Sequence, residues 1–160
     1  PAATPTPGAP QAQGAVRSPT PTPAGPGDQP MSPPAASPSP APATLTWPVP
    51  GGEVSQPFHA GHLAVDVAAA EGSPVVAADG GVVTWAGWRD NGGGLVVSID
   101  HGNGIVTVYN HLGSIAVAAG QPVARAQQIG GVGCTGICTG PHVHYEVIVG
   151  GVSVNPLRHH

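Results

Sequence analysis

Residues 139–149 read TGPHVHYEVIV. Side chains of a β-strand point alternately to opposite faces, so His142, His144 and Glu146 share one face and Val143, Tyr145 and Val147 take the other. One face is apolar and packable; the other carries two imidazoles and a carboxylate. A second segment, HLAVDVA at 62–68, alternates likewise, with His62, Ala64 and Asp66 opposed to Leu63, Val65 and Val67. Four-residue spacing also suits a helix face, but the β-branched valines and the preceding Gly61 favour a strand. A third segment, GIVTVYNHL at 104–112, sets Ile105, Thr107, Tyr109 and His111 on one side and Val106, Val108 and Asn110 on the other.

Three nitrogen or oxygen donors with one position left open describe a catalytic zinc site, whereas structural zinc fills all four positions with protein ligands. Two imidazoles and one carboxylate suit zinc best among the common biological metals. Histidines in excess of the ligands are then useful, because an activated water needs a base and a departing amine needs an acid. The H-E-x-x-H motif, which carries a glutamate base, is absent. Imidazole titrates near neutrality and can take that role. A lone histidine on a β-face is more often structural or solvated, and His59 and His101, outside any paired spacing, are read so. His159 and His160 fit the remains of a purification tag and are assigned nothing. Trp85 and Trp88, in TWAGWRDNGG, read as core and hairpin packing rather than a ligand platform.

The elements that must position these residues occupy only part of the chain. Sixteen of the 21 prolines precede Gly51, mixed with Ala, Ser, Thr, Gly and Gln. Residues 1–44 have almost nothing to bury, so they are expected to form a disordered, semi-extended tether, at up to ~3.1 Å per residue where polyproline II persists. Its Ser/Thr-Pro stretches would suit O-glycosylation. Residues 45–158 are long enough for one domain with its own core. Short Val-rich runs punctuated by Gly and Asn (GGVVTWAG, GLVVSIDHG, GIVTVYNHL, HVHYEVIV) predict an all-β domain. With four arginines, no lysine and a formal charge of −4, nucleic acid is excluded as a partner. No stretch approaches the ~20 apolar residues of a membrane-spanning helix. The first residue is Pro, which fits a processed chain with any signal peptide upstream. Cys134 and Cys138 lie in GCTGICTG. In a tethered, exported domain a disulfide closing this loop is the expectation, since C-x3-C lacks the second pair of a structural zinc site.

The segments TWPVPGGEVSQPF, HLAVDVAAAEGSPVVAADGGVV, VVSIDHGNGIVTVYNHL, AAGQPVARAQQIGGVGCTGICTGPHVHYEV and VNP, in that order, resemble the lysostaphin-type zinc metallopeptidases. The resemblance covers nearly all of residues 46–157 and none of the tether. It implies an antiparallel β-sheet groove of the barrel-sandwich-hybrid type holding one zinc ion. It implies that His62 and Asp66 of H-x3-D and His144, the second histidine of H-x-H, bind the zinc. His142, the first histidine of H-x-H, and His111 of Y-x-H-L would flank the reacting water as acid and base. Glu146 is the candidate for orienting an imidazole by a charge-assisted hydrogen bond. The substrates implied are peptide stems and cross-bridges of bacterial peptidoglycan, reached by a secreted or cell-envelope monomer. Ala64 replaces a common glycine. Phe58 stands nearest to where members often carry an oxyanion-binding tyrosine, a role left absent or moved to His59. The Cys134–Cys138 loop is expected to stiffen one wall of the groove. The alternative is a non-catalytic version that binds cell wall or activates another hydrolase; such versions typically lack ligands, and all five site residues are present here. A lipoyl or biotin carrier needs a lysine, which the chain lacks. A cupin expects its glutamate further on and a later histidine. An amidohydrolase barrel needs at least twice this length.

Overall fold

The computed structural model describes residues 44–160. The tether expected over 1–44 lies outside the described residues except for Thr44. Ten strands follow in order: β1 (Glu53–Gln56), β2 (Val65–Ala68), β3 (Pro74–Val76), β4 (Gly81–Arg89), β5 (Gly94–Gly102), β6 (Ile105–Ile115), β7 (Pro122–Val123), β8 (Gln128–Val132), β9 (His142–Val149) and β10 (Val152–Val154). A single 3-10 turn, Pro156–Arg158, closes the described chain. All pairings are antiparallel, in the order β1-β2-β9-β6-β5-β4-β7, with β10 on β9 and β8 bridging β3 and β6. The expected all-β, antiparallel architecture is what the described residues adopt.

The faces of β9 alternate as expected. Val143, Tyr145 and Val147 are fully buried, while His142, His144 and Glu146 are only partly covered. Val65 and Val67 of β2, Val97 and Ile99 of β5 and Tyr109 of β6 join the same core. Tyr109 and Tyr145 stack with ring centroids 5.3 Å apart. Burial of such side chains contributes about 1.5–3 kcal/mol each. The Tyr109 hydroxyl is not orphaned: it accepts from Ala78 N at 2.8 Å and shares a hydrogen bond of 2.9 Å with Thr107 Oγ1. His101 Nε2 meets Thr107 Oγ1 at 2.7 Å and its Nδ1 meets Gly80 O at 3.0 Å, so His101 is a structural residue of this network. Burial pushes the Tyr109 phenol up to about 12 and holds His101 below the ordinary imidazole range.

Four expectations need correction. Strand β2 begins at Val65, not at His62; His62 pairs with His59 in an isolated bridge ahead of it, and Leu63, expected in the core, is half exposed. Trp85 and Trp88 flank the β4–β5 hairpin, but both are exposed. Trp85 lies beneath Arg89, 5.0 Å from guanidinium carbon to ring centroid, and Trp88 Nε1 donates to Asp90 at 2.8 Å. His160 is packed edge-on against Trp47 at 4.9 Å, with Nδ1 2.8 Å from Leu45 O, so it is an integral contact of the fold. The fourth concerns His111. It was expected on the face of Tyr109, yet it has a left-handed φ of 62°. Strand β6 pairs with β9 up to Asn110 and with β8 from Leu112 onward. His111 is the pivot between these partners, and its twisted backbone turns the imidazole away from the tyrosine face.

Candidate metal centre

Asp66 on β2 stands directly opposite His144 on β9. The Asp66 Oδ1 atom lies 2.9 Å from His144 Nδ1 and 3.1 Å from His62 Nε2, and the two nitrogens are 3.1 Å apart. Three donor atoms thus form a nearly equilateral triangle; tetrahedral ligands at about 2.0–2.1 Å from zinc would be roughly 3.3 Å apart. Among the described residues this is the one group of three His, Cys, Asp or Glu side chains compact enough to hold a metal ion. His62 Nδ1 is 3.3 Å from Pro57 O, which leaves Nε2 to face the cluster. Burial alone would raise the Asp66 carboxyl; the hydrogen bond from His144 and the charges of His144, His62 and His142 outweigh it and hold the group below the usual carboxylate range. An ionised carboxylate and two imidazole nitrogens that a metal ion could take in place of their protons form a donor set matched to a divalent cation, and zinc fits it.

Two further imidazoles border this triangle. His142 Nδ1 is 2.7 Å from Gly140 O, and His111 Nδ1 is 2.9 Å from Thr135 O. A carbonyl only accepts, so each Nδ1 donates, and in the tautomer with a single ring proton Nε2 is the open nitrogen. The two rings are 5.0 Å apart at their centroids, and His142 Nε2 is 3.9 Å from Asp66 Oδ2. Burial lowers the His111 pKa, against the Thr135 carbonyl that raises it, with His142 and His144 lowering it further.

All five histidines and aspartates singled out from the sequence come together here. Glu146 does not reach an imidazole by a hydrogen bond: its Oε1 is 3.8 Å from His144 Nε2. It accepts instead from Asn110 Nδ2 at 3.0 Å, and the same amide donates to His144 O at 3.1 Å. Asn110 went unnoticed in the sequence, although its register opposite His144 places it on the site face. Thr135 was missed as well. It lies in the loop closed by the Cys134–Cys138 disulfide, whose Cα atoms are 5.5 Å apart. Its Oγ1 accepts from Leu95 N at 2.9 Å and donates to Leu112 O at 2.7 Å, so the loop that aims His111 is tied to β5 and β6. His59 is exposed, with its ring 5.6 Å from that of His62. Phe58 packs partly buried against the core.

Residues 60–156 match the family model described as Peptidase family M23. Over 96 residues the chain is 46% identical to the DD-carboxypeptidase/endopeptidase Mpg of Neisseria meningitidis, covering 60% of this chain and 22% of that protein. It is 33% identical over 119 residues to the murein hydrolase activator NlpD of Escherichia coli, covering 72% of this chain and 31% of that one. Among solved structures, a zinc-containing peptidase from Vibrio cholerae superposes with TM-score 0.66 at 32% identity, over 72% of this chain and 39% of that chain. Lysostaphin from Staphylococcus simulans gives TM-score 0.60 at 31% identity, over 67% and 47%. The chain therefore spans about a fifth to a third of these two curated relatives.

Proposed function

The chain belongs to peptidase family M23, and we propose that it is a zinc-dependent endopeptidase that hydrolyses peptide stems or cross-bridges of bacterial peptidoglycan. The observation that carries this reading is the triangle of His62 Nε2, Asp66 Oδ1 and His144 Nδ1 with the bare Nε2 atoms of His111 and His142 beside it. His62, Asp66 and His144 would hold one zinc ion. When bound, zinc supplies Lewis acidity toward a carbonyl oxygen and acidifies water. Asp66 contributes the single anionic donor, so the site keeps net positive charge to oppose a developing oxyanion. Of His111 and His142, one would accept the proton of the attacking water at a bare Nε2, and the other, protonated at Nε2 beforehand, would stabilise the developing oxyanion or deliver that proton to the leaving amine. Neither ring needs to reorient, because Thr135 O and Gly140 O fix both through Nδ1. Residues 45–158 would be the catalytic domain of an extracytoplasmic enzyme working as a monomer, and residues 1–44 the tether that lets it reach the wall.

The match to NlpD supports a second reading, a domain that binds cell wall and activates another hydrolase. The complete set of five side chains favours catalysis. Zinc content and clearing of a peptidoglycan suspension, with and without chelator, separate the two. His144→Ala is expected to lose both zinc and clearing. His142→Ala is expected to keep zinc and lose about 10²–10⁴-fold in rate, the usual contribution of a general acid or base. Zinc loss in His142→Ala would overturn the assignment of roles, and a wild-type chain that holds no zinc and clears nothing would overturn the enzyme.

A further inference from the structure

The loop between β8 and β9 is bridged at its base, where His142 N donates to Gly133 O at 3.1 Å. Within it the Cys134–Cys138 disulfide joins two residues four positions apart. Two carbonyls of this loop aim the two imidazoles that border the metal cluster. Thr135 O, inside the disulfide ring, is 2.9 Å from His111 Nδ1; Gly140 O, two residues past it, is 2.7 Å from His142 Nδ1. Gly136, also inside the ring, has a left-handed φ of 75°, and a Cβ there would run into Gly92 O and Gly94 N, so the ring lies hard against the β4–β5 turn. The bridge itself faces solvent. Cys134 is exposed, Cys138 is half-buried, and Ile137 between them is 82% exposed. Cys138 Sγ lies 3.3 Å from Gly140 O, the same carbonyl that holds His142. A disulfide sulfur carries no hydrogen; the thiol formed on reduction gains a donor within reach of that carbonyl.

Exposed disulfides are the reducible, regulatory ones, whereas sheltered ones are structural. We infer that Cys134–Cys138 is a reversible thiol–disulfide exchange site that sets the positions of His111 and His142. Oxidised, the ring holds Thr135 O under His111 and leaves Gly140 O to His142. Reduced, the ring is open, and Cys138 S–H competes with His142 Nδ1–H for Gly140 O. The metal triangle is anchored elsewhere, by the pairing of β2 with β9 and by Pro57 O, so zinc stays. The reductant is a dithiol. Its thiolate attacks the exposed Cys134 Sγ, the Sγ–Sγ bond breaks, and Cys138 leaves as a thiolate that takes up a proton. The second thiol of the reductant then displaces Cys134, which is protonated in turn. Two electrons have passed to the protein, and the dithiol departs as a disulfide. The consequence for hydrolysis rests on the endopeptidase reading; the consequence for the two rings does not.

The test compares the zinc-loaded full chain as purified, after reduction by a phosphine (which competes for zinc less than a dithiol does), and after reoxidation by exchange with oxidised glutathione. Thiol titration counts the open bridge, metal analysis reads zinc, and peptidoglycan clearing reads hydrolysis. Nitrogen-15 NMR of the histidine rings reads the Nδ1–H protons of His111 and His142, with the ring of His101, held by Gly80 O and Thr107 Oγ1, as the internal reference. Reduction is expected to release two thiols, to erase both Nδ1–H signals but not that of His101, and to slow clearing roughly 10–100-fold at constant zinc, the scale of a misplaced catalytic group. Reoxidation is expected to restore all of these. The double variant Cys134→Ser, Cys138→Ser is expected to behave as the reduced chain and to ignore the phosphine. A bridge that yields no thiols overturns the inference, as does zinc loss on reduction. In a chain that clears, a rate or a pair of ring signals unmoved by reduction overturns it and leaves the endopeptidase standing. Ring signals that respond in a chain that never clears retain the exchange site and refute the endopeptidase. The wild-type comparison alone is decisive should the variant fail to fold.

Discussion

Thr135→Val removes one hydroxyl at nearly constant shape. That hydroxyl satisfies two backbone groups, Leu95 N–H at 2.9 Å and Leu112 C=O at 2.7 Å, and both lose their partner in the variant. A buried backbone group left unsatisfied costs about 1–3 kcal/mol. Thr135 is only partly buried, which places each loss in the lower half of that range and the sum at roughly 2–4 kcal/mol. For a domain of this size that corresponds to a fall in Tm of roughly 8–16 °C. The loop that loosens is also the one whose Thr135 carbonyl holds His111 Nδ1 at 2.9 Å. Misplacing a catalytic group by about 1 Å can cost on the order of 10²-fold, so kcat is expected to fall roughly 10–100-fold with zinc content unchanged. Thr135→Ser restores the hydroxyl and is expected to recover most of both effects. Calorimetry, metal analysis and steady-state hydrolysis read the three quantities. If Val and Ser behave alike, or if Val melts within about 2 °C of wild type, the clasp does not hold the loop and the reasoning fails.

Two other perturbations probe the scaffold. Gly94 has φ 67° and a Cβ there would run into the Thr135 carbonyl, so Gly94→Ala combines a left-handed penalty of about 1–2 kcal/mol with a backbone collision; it is expected to lower Tm and hydrolysis together, and unchanged melting would refute the close approach of the two loops. His101 is held below its ordinary value, near 6.5, by burial, against the Gly80 carbonyl that raises it. As pH falls below about 6.5, the unfolded chain binds the proton that the folded one resists, so stability declines with acidification between the ordinary and the lowered value. His101→Gln is expected to flatten the Tm–pH curve of the chelated chain in that window by up to about 1.4 kcal/mol per pH unit. His111 and His160, also lowered chiefly by burial, retain the remaining slope; an unaltered curve would refute the buried neutral state.

Period-two alternation exposed the opposed faces of β9 and the convergence of Asp66 with His144, because those stretches pair without irregularity. The same rule misplaced Leu63 by extending β2 three residues too far. Trp85, read as core and hairpin packing, is exposed on β4, where the register with β5 slips by a residue after Val83. The disulfide was legible from two cysteines in a short glycine-rich loop, but its consequence was not. Thr135 matters through its carbonyl and a hydroxyl clasp, and neither has a sequence signature.

His111 is the instructive failure, because the rule that erred there is the rule that worked next door. A regular strand would have sent residue 111 to the face of Tyr109, into a core already filled by Tyr109 and Tyr145. Strand β6 must also leave β9 after Asn110 and join β8 by Leu112, so one residue has to absorb the change of partner. Left-handed backbone at a non-glycine residue is uncommon and costs about 1–2 kcal/mol, and histidine at that position does not announce it. The conformation is held by His111 N–H donating to Gly93 O at 2.8 Å and by the ring's bond to Thr135 O. Both partners lie in loops distant in sequence. What positions the fifth side chain of the site is therefore a tertiary exchange of strand partners, a property that no single segment of the sequence carries.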